Sequence, residues 1–194
     1  MAYLDSNQLA SLGLKSYGQD VKISEWARLY NPANIIIGNN VRIDDFCILS
    51  AGDGGIELGS HIHIGAYSSI IGKSLVRVGE YSNISSRVSI YSSSDDYSGE
   101  FLTSPVVDEA FKNVKHAPVF IAPHCIIGAG SVILPGSHLD FGVAVGALSF
   151  INGNLQAFNV YAGSPAKLIK PRSRNFLALI PNHQVYYENQ NTNQ

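Results

Sequence analysis

An aliphatic residue returns every sixth position through most of this chain, and that period fixes the fold class before any local reading does. Ile37, Ile43 and Leu49 form one triplet, followed by Leu58, Ile64 and Ile70, then Val78, Ile84 and Ile90. Ile121, Ile127 and Ile133 resume the series, and Leu139, Val145 and Ile151 continue it. Ile23 and Leu29 extend it upstream, where Tyr17 can complete a turn. Two places before each aliphatic the residue is small or β-branched, as at Val41, Cys47, Ser68, Ser82, Ser131 and Ser149. An even period suits strands, whose side chains alternate between faces, and does not suit a helix of ~3.6 residues per turn. The reading is therefore all-β. Three hexads make one triangular rung, and stacked rungs make a parallel β-helix. Gly38, Gly59, Gly65, Gly79, Gly128 and Gly146 each follow an aliphatic directly. Glycine there is expected to let the chain take the unusual φ of a corner.

Insertions must fall between triplets or leave at corners. Most are small, but the step from Ile90 to Ile121 predicts one long protruding loop over residues 91–118. Ordered loops longer than ~12–15 residues are usually functional. At the ends the period fails. Asp5 or Ser6 is expected to cap a short helix through Gln8–Leu12 that covers the first rung. Phe176 to Ile180 is expected to form one apolar turn, and residues 189–194 a polar, disordered tail. A chain of 194 residues is expected to be one domain: a cap over 1–16, the β-helix over 17–172, and a C-terminal segment over 173–194.

Composition narrows the partners. Only 14% of residues are charged and the net charge is −2, with no basic run, so nucleic acid is not an expected ligand. No stretch reads as a signal peptide or as an integral membrane segment. Cys47 and Cys125 both fall at inward positions of different rungs, which reads as small buried thiols in a cytoplasmic protein rather than a disulfide or a metal site.

Two segments, residues 124–136 (HCIIGAGSVILPG) and residues 161–170 (YAGSPAKLIK), resemble the hexapeptide-repeat acyltransferases. Within that group the chain is similar to the maltose and galactoside O-acetyltransferases and to polysaccharide-modifying acetyltransferases, over about residues 35–172. The resemblance implies a left-handed coil, an exception to the usual right-handed crossover. It also implies a homotrimer with each active site between two neighbouring coils, acetyl-CoA as acyl donor, and a saccharide as acceptor. It makes Ala129, Ala147 and Asn152 contacts of the coenzyme, and Lys167, Lys170 and Arg172 candidates for its phosphates. No metal is implied.

The sequence departs from that group at the base. The sugar acetyltransferases carry a histidine where the loop leaves the third hexad. Counting from Ile90, that place is Asp95 here, and the place of an expected asparagine is Gly65. Asp95 with Asp96, His63 and His116 are the candidate bases. If both carboxylates entered the site, repulsion and burial would raise one of them. The expected activity is O-acetylation of a sugar or polysaccharide precursor. The alternative is N-acetylation of an amino-sugar nucleotide, because an amine loses its proton more easily once acylated. Two further alternatives share the coil. A γ-carbonic-anhydrase-like hydratase needs converging histidines, two of them five apart, and no pair here has that spacing. The other is a non-catalytic scaffold.

Overall fold

A computed structural model describes residues 2–185. It is a left-handed solenoid of parallel coils with three flat faces. The first face contains Ile35–Ile37, Ile56–Leu58, Val76–Val78, Val119–Ile121 and His138–Leu139 among its 7 strands. The second contains Arg42–Ile43, His63–Ile64, Asn83–Ile84, Ile126–Ile127 and Ala144–Val145 among its 8. The third contains Ile48–Ala51, Ser69–Gly72, Ser89–Tyr91, Val132–Ile133 and Phe150–Ile151 among its 6. The chain visits the faces in that order on every rung, so the repeating aliphatics stack in three columns. Ile56, Val76 and Val119 are register partners on consecutive rungs, although the loop separates the last two.

The columns are the core. Ile43, Leu49, Ile64, Ile70, Ile84, Ile90, Ile127 and Ile133 are fully buried, each contributing about 1.5–3 kcal/mol of apolar burial. Inward serines are satisfied rung to rung. Ser68 Oγ donates to the Ser85 carbonyl at 2.9 Å, and Ser131 Oγ donates to the Gly146 carbonyl at 3.1 Å. Each also accepts an amide, from Val88 at 3.2 Å and from Ser149 at 3.2 Å. Cys47 and Cys125 are buried and unpaired.

The corner glycines serve a different purpose from the one expected. None of Gly38, Gly59, Gly65, Gly79, Gly128 or Gly146 has a positive φ. Rungs stack so closely there that a Cβ has no room. One added at Gly65 would lie 2.6 Å from the Ser86 nitrogen, and one at Gly128 would lie 2.4 Å from the Ala147 nitrogen. The left-handed residue comes two places later, three after the aliphatic. It is Asn40, His61, Tyr81 and His124 at the first-to-second edge, and Phe46, Tyr67, Arg87 and Leu148 at the second-to-third edge. Large side chains thus line up in ladders along two edges, and contacts between them offset a left-handed cost of about 1–2 kcal/mol per residue.

The ends are capped. The helix Ser6–Ser11 has Asp5 as N-cap, with Gln8 completing a capping box, the arrangement that satisfies two orphan amides at once. Past the last parallel strand, Lys167–Pro171 runs antiparallel to Asn159–Ala162. The short helix Asn175–Leu179 then returns to the coil, where Phe176 packs on His124 with ring centroids 5.3 Å apart. The tail expected at 189–194 lies outside the described residues. Among the described residues no helix is long and apolar enough to cross a membrane.

Candidate active site

The loop leaves the third face after Tyr91 and opens as an antiparallel pair, Ser93–Ser94 against Lys115–His116. These residues have no alternating pattern that predicts a strand. The pair holds the loop over the outer surface of the third face, where alternate residues point outward and are apolar: Tyr91, Val132, Leu134 and Phe150. Between loop and face lies a cleft of about 680 Å³, lined by those four residues with Ser93, Ser94, Asp95 and Tyr97. A second cleft of about 500 Å³ shares Ser94, Asp95, Tyr97 and Leu134, and adds Asp96, Asn113, Lys115, Pro135 and Asn152. Both volumes lie in the range of small-molecule sites, and an apolar wall with few converging polar groups is their usual composition.

Asp95 lines both clefts and its side chain makes no hydrogen bond to another described residue. Asp96 lines only the second, and its Oδ2 accepts from the Ser98 amide at 3.0 Å and the Ser98 hydroxyl at 2.6 Å. The expected carboxylate pair is therefore divided: Asp95 faces the clefts, while Asp96 closes a turn. Asn152 lies across the second cleft from them.

The two histidine candidates stand elsewhere. His63 is on the outside of the second face, where its Nε2 lies 2.7 Å from Asp44 Oδ2 and its Nδ1 lies 2.9 Å from Asn83 Oδ1. Arg42 joins the cluster, with Nε 3.0 Å from Asp44 Oδ1. His116 belongs to the loop pair but lines a third cavity with Lys73, Leu75 and Phe120, on the side of the first face.

Ala129 and Ala147 occupy the second-to-third edge on consecutive rungs, joined by the Leu148 amide donating to the Ala129 carbonyl at 2.9 Å. Among the described residues neither alanine N–H meets an acceptor, and the same holds for Ala66 and Ser86 at the equivalent places of earlier rungs. This edge is a row of unpaired donors. Lys167 and Lys170 are exposed on the last antiparallel strand. Arg172 is committed inward. Its Nη1 donates to the His124 carbonyl at 2.8 Å and to the Gly142 carbonyl at 3.1 Å, and its guanidinium stacks on Phe176. It locks the C-terminal segment to the coil, which is not the free phosphate contact expected of it.

Burial pushes both thiols up, Cys47 to about 11 and Cys125 to about 11, so neither supplies a thiolate near neutrality. Among the described residues no group of His, Cys, Asp or Glu is placed to hold a metal ion.

No family model matches the chain. It is 54% identical to an Escherichia coli dTDP-4-amino-4,6-dideoxy-D-glucose acyltransferase over 179 residues, 92% of this chain and 93% of that protein. It is 30% identical to a putative lipopolysaccharide biosynthesis O-acetyl transferase of Escherichia coli K12, over 71% of this chain and 68% of that one. Among solved structures, AntD is an N-acyltransferase from Bacillus cereus, crystallised with dTDP and 3-hydroxybutyryl-CoA. It superposes with a TM-score of 0.90 at 40% identity, covering 96% of this chain and 98% of AntD. A variant of AntD in complex with dTDP-4-amino-4,6-dideoxyglucose and coenzyme A gives 0.91 at 39% identity, covering 95% and 97%. These likenesses extend along nearly the whole coil, its long loop included, and this chain is an acyltransferase that belongs to the hexapeptide-repeat acyltransferases.

Proposed function

We propose that this protein transfers an acyl group, acetyl in our assignment, from a coenzyme A thioester to the 4-amino group of dTDP-4-amino-4,6-dideoxyglucose. The observation that carries the reading is the identity of the candidate base. A carboxylate, Asp95, lines the clefts, and the two candidate histidines face other parts of the surface. A sugar hydroxyl must lose its proton as it attacks, which calls for a stronger base. A neutral amine attacks with its own lone pair and becomes acidic only as the C–N bond forms, so a carboxylate is sufficient. Similarity to relatives named for amino-sugar acylation supports the amine over the hydroxyl.

In this reading the amine nitrogen attacks the thioester carbonyl carbon. The C–N bond forms and the carbonyl oxygen becomes an oxyanion, stabilised by backbone N–H groups of the second-to-third edge. Asp95 takes the proton from nitrogen, the C–S bond breaks, and the leaving thiolate takes that proton back from Asp95 and departs as coenzyme A. The unpaired amides of Ala129 and Ala147 suit the two amides of the pantetheine arm. Lys167 and Lys170 suit its phosphates, and Asn152 lies at the mouth of the second cleft.

The cleft with Asp95 lies over the outer surface of the third face, which the donor edge borders on one side. A homotrimer in which the loop of one chain meets the edge of the next brings them together. The loop leaves Tyr97 91%, Val106 90% and Phe111 60% exposed, an apolar surface of the kind that marks a contact between chains. We assign the reaction to the cytoplasm, in keeping with two buried free thiols.

Purified protein with dTDP-4-amino-4,6-dideoxyglucose and acetyl-CoA is expected to release one thiol per amide formed, followed by thiol titration and product mass. 3-Hydroxybutyryl-CoA is the competing donor in the same assay. Acylation of hydroxyl sugars with no turnover of the amino sugar overturns the reading.

A further inference from the structure

The loop carries an amine of its own into the clefts. Lys115 stands opposite Ser94 in the antiparallel pair, and Asp95 follows Ser94 directly. Lys115 and Asp95 both line the second cleft, of about 500 Å³. Lys115 is exposed, and among the described residues its ammonium makes no ion pair and no hydrogen bond. The other lysines are engaged or stand elsewhere. Lys112, on the same loop, has a side chain only 7% exposed, with its Nζ 2.6 Å from Glu109 Oε1 and donating to the Pro105 carbonyl at 3.2 Å. Lys73 lies 4.0 Å from Asp53 in the cavity beside His116. Lys15 and Lys22 are exposed near the first rungs, and Lys167 and Lys170 are on the last strand. Transfer to the sugar makes no use of Lys115. A cleft of this size holds one small ligand, so a thioester carbonyl held beside Asp95 is within reach of the flexible four-carbon stem of Lys115. A primary amine next to a base and a thioester has the chemistry of the acceptor itself.

We propose that Lys115 is a self-acylation site, which takes the acyl group of the coenzyme A thioester when no amino sugar occupies the cleft. The proposal rests on the reading that Asp95 accepts the proton of an attacking amine. The neutral ε-amine attacks the thioester carbonyl carbon and a C–N bond forms. Its proton passes to Asp95 and the C–S bond breaks. The leaving thiolate takes that proton back and departs as coenzyme A. Lys115 is left as a neutral amide, so the cleft loses a cation. The lengthened side chain occupies space shared with Asp95, Asn113 and Asn152. Acylation therefore closes the site while donor is in excess of acceptor, and an amino sugar in the cleft prevents it.

The test incubates the full chain with acetyl-CoA and no sugar, and follows intact mass and peptide maps. One addition of about 42 Da is expected at Lys115. Its initial rate is expected to be about ten- to hundredfold above that at Lys15 and Lys22, whose acylation measures the uncatalysed reaction. Asp95→Ala is expected to slow the addition at Lys115 at least about tenfold and to leave Lys15 and Lys22 unchanged. Saturating dTDP-4-amino-4,6-dideoxyglucose is expected to slow it by a similar factor. Pre-incubation with acetyl-CoA is expected to lower the later turnover of wild type at least about tenfold, while Lys115→Arg, which cannot be acylated there, loses less than about twofold. Equal rates at the three lysines, a rate at Lys115 indifferent to Asp95, or undiminished turnover after modification overturns the proposal and leaves transfer to the amino sugar standing. Addition at Lys115 in a protein that acylates no amino sugar overturns the acceptor reading and leaves the self-acylation site.

Discussion

Ser93 Oγ lies 2.7 Å from His116 Nδ1 across the antiparallel pair that opens the loop. That contact ties the imidazole to the outgoing strand, where His116 lines the cavity beside Lys73 and Phe120, while Asp95, two residues past Ser93, lines the clefts. The two candidate bases are thus separated by the fold. Asp95→Ala is expected to lower kcat about 10²–10⁴-fold, the usual contribution of a general base. His116→Ala is expected to lower it less than about tenfold. Steady-state rates under saturating amino sugar and acyl-CoA check both, and the reverse order would move the base to His116.

The contact of His63 with Asp44 makes a stability prediction instead. Asp44 is buried and meets His63 at 2.7 Å and Arg42 at 3.0 Å. Its carboxylate links two rungs of the second face. Removing it leaves His63 and Arg42 without that acceptor. Asp44→Ala is expected to lower the unfolding free energy by about 1–3 kcal/mol, read from urea midpoints, with the KM for both substrates unchanged. A large rise in either KM would put the second-face cluster in the site.

The parts of this protein that were legible in its sequence are those where one chemical requirement repeats. An inward position must be aliphatic or small on every rung, so Ile43, Ile64, Ile84 and Ile127 announce themselves. Counting onward from Ile90 also reaches Asp95. The edges were not legible. Their third residue shares a backbone conformation but not a side-chain chemistry, being Asn40, His61, Tyr81 and His124 on one edge and Phe46, Tyr67, Arg87 and Leu148 on the other. The glycines were seen but misread, because the need is for space against the next rung, and a single rung of sequence does not display its neighbour. The cleft wall of Val132, Leu134 and Phe150 was hidden for a similar reason. Outward apolar residues on one strand look unremarkable until the loop that covers them is in place. Arg172 read as a free cation because nothing in its neighbours indicates that three carbonyls await it.

The corner glycines separate two kinds of strain. Gly79 carries no positive φ, but a Cβ there would lie 2.4 Å from the Pro123 nitrogen and 2.7 Å from the Ala122 carbonyl carbon. Both are backbone atoms locked in the next rung. Gly13 has φ +72 and open space around its Cβ position. Gly79→Ala is expected to cost about 2–4 kcal/mol by overpacking. Gly13→Ala is expected to cost about 1–2 kcal/mol through its left-handed φ alone. Denaturant titration of the two variants checks the order. A smaller loss at Gly79 would mean that the rungs can spread, contrary to the stacking described above.

Acid is expected to loosen the C-terminal segment first. Burial against the first-to-second ladder holds the His124 imidazole below its ordinary value, with Arg172 adding to the effect and Glu80 opposing it. Burial lowers His61 as well, with His183 beside it acting in the same direction and Glu80 opposing. A histidine whose folded value is depressed takes up its proton in the unfolded chain first. The unfolded state therefore binds more protons once the pH falls below about 6.5, and stability falls with it. The loss runs from near neutrality downward until the folded-state values are passed. His124 packs on Phe176 at 5.3 Å, and His61 packs on His183 at 5.1 Å, so these protonations act where the last helical turns dock. Amide exchange between pH 7 and pH 5 is expected to show faster opening of residues 173–185 than of the strands Ile56–Leu58 and Val76–Val78. His124→Gln is expected to flatten the slope of stability against pH in that window. An unchanged slope would mean that His124 stays neutral in both states, and the docking of Phe176 would then be independent of acid.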